Sequence, residues 1–250
     1  MNTYKLKKLL AILFISTLAL GVQAQGNQFI KTYRCYFIKL SKKFENQGDF
    51  FYSKGTTTDT VDTLKSLINQ AIDKNKQLWG GKFVAKPIII YCKTYKEYLK
   101  YSNEYTAGLT RVTSVNTYLV LWKGGLNLDV IAHELCHAEL SARLGIYNRL
   151  LLMPGWFDEG LAMQLDEREE FDWETDTTNF YEYLKPMRGY KAFWEGSLFR
   201  VQKNYCYAKI EVGNWLGPKP SEKLYKLVKG LNEGVPFIEL YEALDHRNLE

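Results

Sequence analysis

The sequence predicts an α+β protein, a mixed sheet followed by a helical half. Strand-like runs cluster in the first half of the 250 residues, helical spacing dominates the second, and the helix between them holds two of the chain's three histidines. Eighteen tyrosines, thirteen phenylalanines and six tryptophans point to a folded, apolar-cored chain rather than a disordered one.

The elements follow in order. Lys5, Lys7 and Lys8, an apolar run from Leu9 to Leu20, and small residues at Val22 and Ala24 read as a secretory signal cut after Ala24. The apolar run is short for a membrane span, so no stable membrane anchor is expected after cleavage. Cleavage removes three lysines and no acids, and the formal charge falls from +5 to +2. A near-neutral chain without a basic stripe argues against a nucleic-acid partner. The expected location is exported, periplasmic or secreted.

Thr32 to Leu40, aromatic and β-branched, reads as a strand. Asn46 to Asp59 is polar with two glycines and reads as a loop. From Thr60 to Trp79 the spacing of Val61, Leu64, Leu67, Ile68, Ala71, Ile72 and Leu78 is helical, and Gly80-Gly81 ends it. Pro87 to Cys92 reads as a buried strand, Thr94 to Tyr101 as a short helix, and Val112 to Trp122 as one or two strands. Leu128 to Leu144 is a helix with Asn127 as N-cap and Gly145 as its stop. Pro154-Gly155 opens a helix from about Trp156 to Glu167, and residues 168–190 read as irregular. Helices over about Phe193–Leu216, Pro220–Leu231 and Pro236–Leu244 complete the chain. The expected division is a signal over 1–24, an N-terminal part over 25–145 and a helical part over 146–250. Export permits disulfides. The four cysteines, Cys35, Cys92, Cys136 and Cys206, allow three connectivities; Cys35 with Cys92 is one pair, and free buried thiols are the alternative.

The chemistry concentrates at His133-Glu134-Leu135-Cys136-His137. Residues four apart on a helix share a face, so both imidazoles can reach one metal ion. Glu134 then sits beside a metal-activated water as a general base. Cys136 points off that face. A catalytic zinc usually takes a third protein ligand. His246, near the C-terminus, is a poor third ligand, whereas Asp158 and Glu159 each offer a carboxylate in Trp156-Phe157-Asp158-Glu159-Gly160-Leu161-Ala162. Gly160 and Ala162 are small enough to let this helix approach the histidine helix closely.

H-E-x-x-H followed by W-F-x-E-G-L-A resembles the gluzincin metallopeptidases, and within them the peptidase MA-like exported hydrolases. The resemblance implies a zincin-like fold, Zn²⁺ as cofactor, and His133, His137 and Glu159 as its ligands, with Asp158 as the rival carboxylate. The 21 residues between His137 and Glu159 make a longer spacer than in the aminopeptidase branch, so the resemblance is to the wider group. The group often has an acid four positions past the third ligand, supporting a histidine. Met163 stands there, and Gln164, Asp166 or a backbone carbonyl would have to replace it. Related enzymes often offer a tyrosine from a later helix to the oxyanion, which puts Tyr207 forward among Tyr205-Cys206-Tyr207-Ala208-Lys209.

The implied activity is hydrolysis of a peptide or protein substrate. Thr117 to Trp122 is the expected cleft-edge strand, able to pair with an extended peptide. Residues 166–182 hold eight acids and one base; at the cleft rim they would attract basic peptides, otherwise they form a solvated loop. The rival readings are a non-catalytic, zinc-stabilised binding protein on the same scaffold and an exported protein without metal.

Overall fold

A computed structural model describes residues 25–102, 106–113, 115–171 and 179–245. The expected signal over 1–24 and His246 lie outside the described residues. The architecture is α+β. A five-stranded mixed sheet comes from the first half, and helices make up most of the second. No helix among the described residues is long and apolar enough to cross a membrane.

The chain opens with α1 (Gln25–Tyr36) and a 3-10 turn over Ile38–Leu40, where the sequence suggested a strand. Helical spacing turns Cys35 and Ile38 inward and leaves Tyr33, Tyr36 and Leu40 exposed. The aromatic, β-branched composition imitated a strand, but only a narrow stripe of it is buried. Strands β1 (Phe44–Gln47) and β2 (Phe50–Ser53) form a hairpin inside the expected loop. Its two-residue turn uses Gly48 at φ +66°, a conformation that glycine adopts without strain. Phe50, Phe51 and Tyr52 are all buried, a short apolar run that its polar surroundings concealed.

Helix α2 (Thr58–Leu78) starts at Thr57, whose side chain accepts from the Thr60 amide. It leads to β3 (Ile88–Cys92), short α3 (Tyr95–Tyr98), β4 (Gly108–Val112) and β5 (Thr117–Trp122). The sheet order is β1-β2-β3-β5-β4, with β2, β3 and β5 parallel and β1 and β4 antiparallel to their neighbours. β5 is therefore internal, and the edge strand on that side is β4, not Thr117–Trp122. Alternation along the strands divides the core. Phe50, Tyr52, Ile89, Tyr91, Leu119 and Leu121 face the main cluster with α2 and the helix over Leu128–Leu144, while Phe51, Ile88, Ile90, Cys92, Tyr118 and Val120 face the smaller one with α1.

Helix α4 (Leu128–Leu144) has the expected bounds. Asn127 accepts from the amides of Asp129 and Val130, and Gly145 ends the helix at φ +76°. α4 is fixed from two directions. Asn75 on α2 donates to the Ala132 carbonyl at 3.0 Å, and buried Glu139 accepts from the amides of Val84 and Ala85, each at 2.8 Å. The turn at Gly145 leads into α5 (Ile146–Leu152), which the sequence did not announce. Then come α6 (Gly155–Ala162), a 3-10 turn over Met163–Leu165, α7 (Phe180–Leu184), α8 (Tyr190–Trp194), α9 (Leu198–Leu216), α10 (Pro220–Asn232) and α11 (Phe237–Leu244). The bareness of Gly160 serves α9 rather than α4: a Cβ there would lie 2.5 Å from the Ala208 carbonyl oxygen and 2.7 Å from Val212. α6 thus packs on α9, and its opposite side delivers two carboxylates to α4. The four cysteines are free and buried; Cys35 lies on α1 rather than on a strand opposite Cys92.

Candidate metal centre

His133 and His137 project from one face of α4, and α6 brings Glu159 to them. His133 Nε2 and His137 Nε2 are 3.2 Å apart, and Glu159 Oε2 is 3.4 and 3.5 Å from them. A tetrahedral ion with bonds of about 2.0–2.1 Å holds its ligands about 3.3 Å apart. The three atoms therefore fit three corners of such a shell. Glu159 Oε2 is buried and has no hydrogen-bond partner in the protein. All three residues are buried, and together they form a group that could hold a metal ion.

The outer partners strengthen this fit. His137 Nδ1 lies 2.8 Å from Asp158 Oδ1. An ionised carboxylate only accepts, so Nδ1 carries the proton and Nε2 presents its lone pair. His133 Nδ1 faces Asp166 Oδ2 at 3.6 Å, an ion-pair separation longer than a hydrogen bond. His137 Nε2 and the Glu159 carboxylate then converge as acceptors beside His133 Nε2, which in a dry interior favours a cation, either a proton or a metal ion.

Electrostatics agrees in sign. Burial alone would depress both imidazoles, but the carboxylates outweigh it. Asp158 and Glu159 raise His137 to about 10, and Asp166 and Glu159 raise His133. Burial pushes Glu159 the other way, and the two histidines bring it down to about 2. Without a metal, the centre draws protons to itself.

Each suggested site residue has a definite place. Asp158, the rival ligand, is instead the orienting partner of His137. Its Oδ2 also accepts from Arg149 at 2.6 Å and from the Tyr190 hydroxyl. Asp166, carried there by the 3-10 turn after α6, is the acid that faces His133, while Met163 is a buried apolar side chain. Gln164 is engaged elsewhere, donating to the carbonyls of Gly160 and Lys209. Cys136 is in the core, with its thiol pushed well above the ordinary range by burial. Glu134 is half-buried beside β4: Thr110 donates to its carbonyl at 2.6 Å, and a Cβ on Gly108 would lie 3.1 Å from its Cγ.

Tyr207 does not face the histidines. It is buried between Phe180 and Tyr183, ring centroids 5.1 and 4.9 Å away, on the side of α9 facing α7. Tyr205 is the tyrosine beside the histidines, its ring centroid 6.3 Å from that of His133. The Trp194 indole donates to its hydroxyl at 3.0 Å. Indole is a donor only, so the Tyr205 proton must point elsewhere. Burial, then the nearby Glu159 carboxylate, push this phenol well above its ordinary range and keep it protonated.

The acidic stretch is only partly a rim. Asp166 is fully buried, Glu170 pairs with Arg168 at 2.9 Å, and Glu167 pairs with Lys74 at 3.0 Å. Residues 172–178 of that stretch lie outside the described residues. Arg149, Ser141, Tyr190 and Trp194 were missed from sequence; the one signal was an arginine inside the apolar run Ile146–Leu152.

No protein-family model matches the chain, and no curated protein is significantly similar to it.

Proposed function

We propose that this chain is an exported, zinc-dependent hydrolase of gluzincin type acting on peptide bonds. The observation that carries this reading is the convergence of His133 Nε2, His137 Nε2 and the unpartnered Glu159 Oε2 at 3.2–3.5 Å, with Glu134 next to the first histidine. Two nitrogens and one carboxylate are a donor set typical of catalytic zinc. Bound there, zinc would supply a Lewis acid for the scissile carbonyl and would acidify water to a pKa of about 7.

The chain's own residues do the rest. Glu134 takes the proton from the attacking water and passes it to the leaving amine. Tyr205, fixed by Trp194, donates its hydroxyl hydrogen to the developing oxyanion. β4, the sheet edge beside Glu134, pairs with an extended peptide through its main chain. Asp158 holds the His137 imidazole in the ligating tautomer, and the Asp166 carboxylate faces His133 at ion-pair distance.

The test is metal analysis joined to digestion of a peptide library. Zinc uptake near pH 7 should release at least one proton, because the Asp158 and Glu159 carboxylates raise His137 to about 10 in the metal-free protein and the ion displaces the proton it holds. Calorimetry in buffers of different ionisation enthalpy reads this number directly; uptake without release would contradict the site. Tyr205→Phe should lower kcat by about 10²–10³-fold with KM little changed, the usual cost of one oxyanion donor. Tyr207→Phe should leave kcat near wild type. The reverse ranking would return the role to Tyr207.

One observation favours the second reading, a zinc-stabilised binding protein. His133 and His137 are only 8% and 6% exposed, as in closed structural sites. Zinc content without cleavage would identify that case.

A further inference from the structure

The sequence motif accounts for the three donors but not for the buried arginine behind them. Arg149 lies on α5, is 7% exposed, and its planar head spans two elements. Nε donates to Asp158 Oδ2 at 2.6 Å, Nη2 lies 2.6 Å from the same oxygen as an ion pair, and Nη1 donates to Ser141 Oγ at 2.9 Å. Ser141 in turn donates to the backbone carbonyl of His137 at 2.7 Å. Asp158 Oδ1 accepts from the His137 ring at 2.8 Å. The path therefore leaves His137 at Nδ1 and returns to it at its own carbonyl, a closed ring of buried groups.

We propose that Arg149 is a positioning residue that sets metal affinity at this centre by closing the ring that locks His137. The inference rests on the metal reading of His133, His137 and Glu159. A guanidinium suits this task because its donors lie in one rigid plane and can serve a carboxylate and a hydroxyl together. The ring fixes both the imidazole tautomer and the backbone from which the imidazole projects. The ligand then arrives already oriented, and the ion need not order it on binding.

His133 is held in a different way. Its carboxylate partner is 3.6 Å away, and that partner's arginine, Arg168, is two residues along the same turn and partly exposed. No path returns from it to the His133 backbone among the described residues. The two arginines therefore have unequal effects: Arg149 governs the centre, and Arg168 contributes little.

The experiment compares zinc affinity in wild type, Arg149→Lys, Ser141→Ala and Arg168→Lys by competition with a chromophoric chelator. Circular dichroism and Tm of each metal-free protein report folding. Visible ligand-field bands of the cobalt-loaded proteins report the geometry at the ion, which a merely structural arginine would not move. Arg149→Lys retains the positive charge, so its effect isolates the fork geometry. It should weaken zinc about 10–100-fold, the usual cost of losing an outer partner, and shift the cobalt bands. Ser141→Ala opens the ring at its other side and should weaken zinc by less, but measurably. Arg168→Lys should stay near wild type. A folded Arg149→Lys with wild-type zinc affinity and unchanged cobalt bands would overturn the inference, as would an equal loss from Arg168→Lys. Should Arg149→Lys not fold, Ser141→Ala decides, and wild-type affinity there overturns it. Wild type that takes up no zinc defeats the metal reading itself, a separate outcome.

Discussion

Glu134→Gln should lower hydrolysis by about 10²–10⁴-fold, the range for loss of a general base, while zinc content stays at that of wild type. The residue sits one step past His133 on α4, so its side chain lies beside the donor triangle and adds nothing to it. It is half-buried against Gly108 and Thr110 of β4, where an amide of the same size fits the same space. Gln keeps the shape and removes the basicity. Thermal stability should therefore barely change. Substantial activity in Glu134→Gln would move the base elsewhere and undo the proton path argued for this site.

Glu159→Ala should lose the metal. It would remove one of the three proposed ligands, and the anionic one among them, leaving two neutral imidazoles for a divalent ion. Asp158→Ala should act differently, although it is adjacent in sequence. It deletes an orienting partner rather than a ligand, so zinc should persist with about 10–100-fold weaker affinity. Its larger cost is to the fold. Arg149 would be left buried without its carboxylate, a loss of about 3–5 kcal/mol by comparison with other broken buried pairs. Metal analysis with thermal melting of both variants separates the roles. Retention of zinc by Glu159→Ala and its loss in Asp158→Ala would exchange them.

The parts of the site that local geometry dictates were legible in the sequence. Helix α4 could be bounded to the residue because Asn127 and Gly145 act within one turn of its ends. The shared face of His133 and His137 followed from the helical period, and Glu134 was singled out by the H-E-x-x-H pattern. The division of labour between Asp158 and Glu159 was harder. Two consecutive residues on a helix differ by about 100° in direction, and which one meets the histidines depends on how α6 is rolled against α9. Gly160, where a Cβ would strike the Ala208 carbonyl, fixes that roll. Tyr205 and Tyr207 pose the same problem. They point about 200° apart, so one faces the histidines and the other the aromatic cluster with Phe180 and Tyr183.

Residues brought in by chain reversals were not legible. Arg149 reaches the site because Gly145 turns α5 back along α4, and Tyr190 because α8 starts beside α6, where the Gly155 amide donates to the Arg188 carbonyl. Neither contact has a sequence period. At α1 composition misled: Thr32–Leu40 is rich in strand-favouring residues, yet burial selects only Cys35 and Ile38, spaced three apart. In the hairpin the turn glycine and the apolar run Phe50–Tyr52 were both visible, but the polar residues around them outweighed the signal.

Zinc-dependent peptide hydrolysis is tested most directly by digestion of a broad peptide library by the purified, zinc-analysed protein, with and without a chelator. About one zinc per chain is expected, with cleavage that stops on chelation and returns with added zinc. One zinc per chain with no peptide cleaved would contradict it and would leave the centre as a structural metal in a binding protein.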